Sequence, residues 1–106
     1  MNLKKHPLVT IYITNFNYGK YIKQAIESVL NQTLKDFELI IVDDGSEDES
    51  LVIINEYKDN PKIKIIKQLN RGLNVSNNIV LKLARGKYII RLDADDWLEK
   101  SALKEL

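Results

Sequence analysis

An α/β domain built on an open, mainly parallel sheet is what this chain's sequence predicts, and three observations predict it. Short β-branched apolar runs alternate with segments of helical periodicity. The connections between them are short, as in β-α-β units with right-handed crossovers. Two of the apolar runs end abruptly in carboxylates, Ile40-Ile41-Val42-Asp43-Asp44-Gly45-Ser46 and Ile89-Ile90-Arg91-Leu92-Asp93-Ala94-Asp95-Asp96. Ligands of open α/β sheets bind in the crevice outside the carboxyl ends of the strands, where such acids would stand.

The elements are read in chain order. Leu8 to Ile13 is β-branched and apolar, a first strand. Tyr18, Tyr21, Ile22, Ala25, Ile26, Val29 and Leu30 then recur at helical spacing, with Lys20, Lys23, Gln24 and Glu27 on the other face and Asn17 at the N-cap position. Phe37 to Val42 is a second strand. Ser46-Glu47-Asp48-Glu49 matches a capping box for a second helix, whose apolar stripe is Leu51, Ile54 and Tyr57 and which stops before Asn60-Pro61. Ile63 to Leu69 is a third strand. Asn74 to Leu83 is a third helix with Val75, Ile79 and Leu83 on one face and Gly86 as its stop. Tyr88 to Leu92 is a fourth strand, and a last helix is expected from near Glu99. The order β-α-β-α-β-α-β makes the sheet Rossmann-like.

Composition narrows the functional classes. At 106 residues the chain is one small domain, 1–106, able to bury a core, and its 44% hydrophobic and 29% charged content is that of a globular protein. A net charge of +1 with scattered basic residues gives no electrostatic footprint for nucleic acid. The absence of cysteine excludes disulfides and thiolate metal sites and fits a reducing compartment. No apolar run reaches the roughly 20 residues that span a bilayer, and Met1 to Pro7 is too polar for a signal peptide. A cytoplasmic protein is expected, with membrane association of a longer form left open. His6, the one histidine, lies in the N-terminal arm and reads as inert, so triad chemistry has no candidates. The G-x-G-x-x-G and G-x-x-x-x-G-K-[ST] loops are both missing, which argues against dinucleotide cofactors and P-loop NTPases.

The chemistry sits at the strand ends. In an extended segment Asp93 and Asp95 would face the same way, and such a pair suits Mg²⁺ or Mn²⁺ bound jointly with substrate phosphates. The plain alternative is a solvated acidic turn; Trp97, just after it, reads as core. Asp43-Asp44 can accept a pyrimidine N–H or ribose hydroxyls, with Asp44 the favoured reader, whereas Gly45-Ser46 needs no more than turn geometry. Thr14 to Gly19 ends the first strand beside that acid if the first two strands are neighbours. Phe16 or Tyr18 there could stack on a base, or Phe16 could serve as a hydrophobic staple. Arg71, in Asn70-Arg71-Gly72, could meet phosphate or a base, or be a plain surface arginine.

In this order and spacing, the segments Val9-Thr10-Ile11-Tyr12-Ile13-Thr14-Asn15-Phe16-Asn17, Ala25 to Thr33, Phe37 to Ser46, Asn70-Arg71-Gly72, Ala84 to Ile89 and Leu92 to Leu98 resemble the N-terminal, nucleotide-sugar-binding half of the family-2 inverting glycosyltransferases. The resemblance runs from Val9 to Trp97 and implies the GT-A fold. It also implies roles. Thr14 and Phe16 match the segment that cradles the base, and Asp44 matches the acid that reads it, usually uracil. Asp93 and Asp95 match the D-x-D motif, the first meeting the ribose and the last holding Mn²⁺ or Mg²⁺ on the diphosphate, with Asp96 as an alternative ligand. The implied reaction is inverting displacement from a UDP-sugar by an acceptor hydroxyl, in polysaccharide biosynthesis, on a saccharide or lipid-linked acceptor.

Two departures accompany the match. Members often carry Ala-Arg-Asn-x-Gly in the third helix, where this chain reads Ser76-Asn77-Asn78-Ile79-Val80. No acid here matches the family's general base, which belongs to an acceptor-binding half. The chain is therefore expected to be truncated, to bind a nucleotide without transferring sugar efficiently, and to self-associate through the apolar surface so exposed. Two other readings compete. A metal-dependent nucleotidyltransferase would want a Gly-rich basic signature, of which Asn17-Tyr18-Gly19-Lys20 is a poor version. A flavodoxin-like signalling domain would want an aspartate where Gln68-Leu69-Asn70 stands.

Overall fold

The computed structural model describes residues 7–69 and 71–105. His6, Asn70 and the far end of the expected last helix at Leu106 lie outside them. The elements are β1 (Val9–Asn15), α1 (Gly19–Leu30), β2 (Phe37–Asp43), α2 (Ser50–Asn55), β3 (Ile63–Lys67), α3 (Leu73–Leu83), β4 (Tyr88–Asp93) and a closing 3-10 turn at Leu103–Glu105. All pairings in the sheet are parallel, in the order β3-β2-β1-β4.

β1 and β2 occupy the middle of the sheet, which is why β2 carries the continuous run Leu39-Ile40-Ile41-Val42 and β1 is β-branched or aromatic from Val9 to Thr14. On one face, α1 buries Ile22, Ala25, Ile26 and Val29 completely against Ile11, Ile13, Leu39 and Ile41, and α2 adds Ile54. This i, i+3, i+4, i+7 stripe is the one the spacing predicts. On the other face, α3 packs Val80 against Ile40 and Val42 beside Tyr12 and Ala84. The first two crossovers therefore run over one face. The third crosses to the other, carrying β4 past β1 to the far side of the sheet.

Several local expectations are corrected. Asn17 does not cap α1: it holds a left-handed φ of 59°, and its side chain accepts N–H bonds from Glu47 (2.7 Å) and Asp48 (3.3 Å). The α1 N-terminus is met instead by Asp48, whose Oδ2 accepts from the Gly19 N–H at 2.8 Å, a carboxylate at the positive end of the helix dipole. Ser46 makes no capping box, because the buried Asp43 carboxylate takes both its N–H (2.9 Å) and its hydroxyl (2.6 Å). α2 is accordingly short, starting at Ser50, and its continuation through Asp59 is a series of turns. The inward face of α3 is Ser76 and Val80, rotated by one residue from the expected stripe, and Leu83 is exposed. β3 ends at Lys67, two residues early, and the last helix is reduced to turns and the 3-10 segment. β4 is an edge strand, with Tyr88 and Ile89 half-exposed.

At the amino ends of the strands a buried carboxylate ties the third crossover down. Glu38, only 3% exposed, accepts the Thr10 hydroxyl (2.6 Å), the Arg85 backbone N–H (2.7 Å) and Arg85 Nε (3.2 Å), with Lys64 Nζ 3.7 Å away. Gly86 comes next, at a point of backbone contact, donating its N–H to Thr10 Oγ1 at 2.8 Å. A β-carbon on Gly86 would lie 2.3 Å from the Thr10 nitrogen. Gly86→Ala should force β1 and the α3–β4 connection apart and cost about 1–3 kcal/mol in chemical denaturation. Burial raises the Glu38 pKa, but its hydrogen bonds and neighbouring cations outweigh burial and hold it below the usual value of 4.5. A carboxyl with a depressed folded pKa gives its full stabilisation above that unfolded value and loses it as pH falls through the folded one. Glu38→Gln should therefore cost about 1–3 kcal/mol at pH 7 and progressively less below pH about 4, measured by urea unfolding across the range.

Candidate functional site

The strand order places a switch between β1, which continues toward β2, and β4, which returns on the other side. Open α/β sheets bind ligands at such a point, beyond the carboxyl ends. Thr14, near the end of β1, stands in register with Val42 of β2 on one side and Asp93 of β4 on the other. Residues in register on neighbouring parallel strands point to the same face, so Thr14 and Asp93 share the α3 face. A cleft of about 160 Å³ opens there, lined by Thr14, Asn15, Phe16, Tyr18, Asp44 and Ser76. Phe16 and Tyr18 are exposed at its rim, with their rings available to a flat ligand.

The two successive aspartates do different work. Asp43 is buried and fully engaged inside the fold, accepting Asn15 Nδ2 (2.8 Å) as well as the two Ser46 donors. It holds the ends of β1 and β2 together. Asp44 lines the cleft. Its Oδ1 accepts the Arg71 N–H (2.6 Å) and Gln68 Nε2 (3.0 Å), and its Oδ2 accepts the Gly72 N–H (3.0 Å). Gly72 reaches this position with φ of 87°, where a side chain would strain the backbone. Desolvation raises the Asp44 pKa, but the bonds from Arg71, Gly72 and Gln68 prevail and keep it below the ordinary carboxylate value, so the group is anionic. Arg71 contributes its backbone here, while its side chain is exposed to solvent.

The Asp93-Ala94-Asp95-Asp96 segment is a turn, not the extended stretch expected. The Asp96 N–H closes back on the Asp93 carbonyl at 3.0 Å. The turn fans the acids out: Asp93 Oδ1 lies 3.7 Å from Arg91 Nε, Asp96 Oδ1 accepts the Trp97 N–H at 2.8 Å, and Asp95 is exposed. Among the described residues no three acidic or histidine side chains gather to hold a metal. Trp97, expected in the core, is 53% exposed, because the turn at an edge strand carries it outward.

Beyond the turn, the chain is tied to α1. Gln32, fully buried just past α1, donates Nε2 to the Glu99 carbonyl (2.6 Å) and accepts the Leu103 N–H (3.1 Å), and Ser28 Oγ accepts the Leu98 N–H (3.0 Å). These contacts set where the acid turn can sit. Sequence reasoning assigned no role to Gln32, Gln68 or Ser76. The one available signal was polar residues where the surrounding pattern is apolar. A second hollow, about 410 Å³, lies beside α2 and is lined in part by Asp43, Leu51, Lys67 and Leu69; Thr14, Phe16, Asp44, Arg71, Asp93 and Asp95 do not border it.

Comparison with known proteins bears on the family and the fold. The Glycosyl transferase family 2 profile matches residues 10–106. The chain is 47% identical over 103 residues to a chondroitin synthase of Escherichia coli, a match covering 96% of this chain and 15% of that protein. It superposes on S. aureus TarS 1-349 in complex with UDP-GlcNAc with a TM-score of 0.83 at 28% identity, covering 92% of this chain and 29% of that one. It shares its fold with the mannosyltransferase PcManGT of Pyrobaculum calidifontis, solved with GDP-Man and Mn²⁺, at a TM-score of 0.77 and 21% identity, covering 88% of this chain and 29% of that one. The chain thus spans less than a third of the length of each of these proteins. Its fold is the GT-A nucleotide-binding arrangement, and the chain belongs to glycosyl transferase family 2.

Proposed function

We propose that this chain binds the donor of an inverting glycosyltransferase, a UDP-sugar held with a divalent cation, for transfer to an acceptor hydroxyl. The observation that carries the reading is the cleft itself. A hydrogen-bonded, anionic Asp44, the half-buried Thr14 and two rim aromatics converge where the sheet changes direction, with Asp93 in register alongside. In this reading Thr14 and Phe16 cradle the base, Asp44 accepts its N–H, Asp93 meets the ribose, and Arg71 lies near the phosphates. The complex of TarS with UDP-GlcNAc supports uracil as the base.

For the metal, the donor set fits a hard cation in the manner of Mg²⁺ or Mn²⁺. Such ions are content with one or two carboxylates and complete their shell with phosphate oxygens and water, so a three-acid cage is not required. Asp95 is the ligand in this reading, assisted by Asp93. The bound ion would neutralise charge on the departing diphosphate. The chain's own residues fix the base and the ribose, and therefore aim the diphosphate at the acid turn. The chain spans less than a third of the length of its relatives, and in this reading the general base and the acceptor, a saccharide or a lipid-linked one, are not supplied by the strand-end acids described above.

Calorimetric titration of UDP, in Mn²⁺ and again in EDTA, tests this. Binding should require Mn²⁺ and weaken about tenfold or more in Asp95→Ala, the equivalent of one lost interaction with a charged group. Asp44→Asn should weaken it comparably. Binding indifferent to EDTA and to both substitutions would contradict the proposal.

A further inference from the structure

Asp44 reaches the cleft through a neighbour that does not line it. Gln68 lies one residue past β3, its backbone N–H donating to the Asp43 carbonyl at 2.9 Å, and only 9% of it is exposed. Its amide nitrogen donates twice, to Asp44 Oδ1 at 3.0 Å and to Ser76 Oγ at 2.8 Å. The Ser76 hydroxyl spends its proton on the Gly72 carbonyl (3.1 Å), so toward Gln68 it can only accept. This fixes the amide. Turned over, its oxygen would face the Asp44 carboxylate with no proton between them. The cost of the fixed orientation is visible: Gln68 Oε1 is buried without a hydrogen-bond partner. An apolar side chain of similar size would fill the position without stranding an acceptor.

Counting lone pairs shows what that cost secures. A carboxylate offers about four acceptor sites. Oδ1 of Asp44 has both of its sites taken, by Arg71 and Gln68, whereas Oδ2 holds only Gly72. One site on a carboxylate that cannot turn is left for an incoming N–H. The geometry points to Gln68 as a positioning residue: it clamps Asp44 so that its one remaining lone pair selects a base presenting a ring N–H. The inference rests on the base-reading role proposed for Asp44. It adds that selectivity between uracil, which has an N3–H, and cytosine, which presents a bare N3 acceptor, depends on a residue outside the cleft.

The test compares UDP with CDP by calorimetry in Mn²⁺ on wild type and on Gln68→Met, which keeps volume and removes the amide, with thermal melting to verify folding. Wild type should prefer UDP. In Gln68→Met the UDP-to-CDP preference should fall about tenfold, mostly through weaker UDP binding, because a carboxylate held by the Arg71 and Gly72 N–H groups alone can shift to accept the cytosine 4-amino group as well. The acid limb of UDP binding should also move to higher pH, since Asp44 loses one of the bonds that lower its pKa. If Gln68→Met does not fold, Ser76→Ala carries the test. It frees the amide's second anchor and should reduce the same preference by a smaller factor. Equal weakening of both nucleotides, or an unchanged ratio in the folded variant, overturns the role of Gln68 while leaving Asp44 as the reader. Failure of wild type to bind UDP at all overturns the base-reading itself, and the role of Gln68 with it.

Discussion

Parallel pairing of β1 with both β2 and β4 is the constraint on which the site depends. A parallel sheet delivers every strand to the same edge, so whatever the sequence places after each apolar run arrives in one crevice. Here those endings are Thr14-Asn15-Phe16, Asp43-Asp44 and Asp93, and the registers bring Thr14 level with Val42 and Asp93. The helices on both faces keep this edge free, since each crossover leaves the carboxyl ends and returns to the amino ends. The network about Glu38 works at the opposite edge, fastening the third crossover to β1 and β2, so that stability and ligand chemistry are carried at opposite ends of the strands.

Within the crevice, the division of labour between Asp43 and Asp44 explains why two carboxylates stand together. Asp43 satisfies the donors of Asn15 and Ser46 and is withdrawn from solvent, closing the gap between β1 and the loop after β2. Asp44, one residue on and facing the other way, organises the loop that enters α3 and borders the cleft. The acid turn after β4 is positioned differently, by a covalent continuation that Gln32 and Ser28 bind to the end of α1. A nucleotide reaching from Asp44 to Asp95 would thus touch two supports anchored on opposite faces of the sheet.

The strands, their order along the chain and the positions of the acids were legible in the sequence because buried parallel strands and an amphipathic helix such as α1 leave unambiguous patterns. What escaped were outcomes decided by competition between polar groups. Ser46 matched a capping box, but nothing local shows that Asp43 would claim its hydroxyl. Asn17 matched an N-cap, but its amide serves a loop 30 residues away. Asp93 and Asp95 matched an extended pair, but a hydrogen bond between backbone groups folds them into a turn. Trp97 looked internal because apolar residues usually are; that β4 lies at an edge is a property of the whole sheet. Gln68 was visible only as a residue unsuited to another function, and its link to Asp44 and Ser76 needs the third dimension.

Heteronuclear NMR of ¹⁵N-labelled protein titrated with UDP in Mg²⁺ tests the central claim most directly, because it asks where the nucleotide sits. The amides of Thr14, Phe16, Asp44, Gly72, Ser76 and Asp95 should shift together at one affinity, and none of them should shift when EDTA replaces Mg²⁺. Shifts gathered about Leu51, Lys67 and Leu69, in the hollow beside α2, would place the ligand elsewhere and contradict the account.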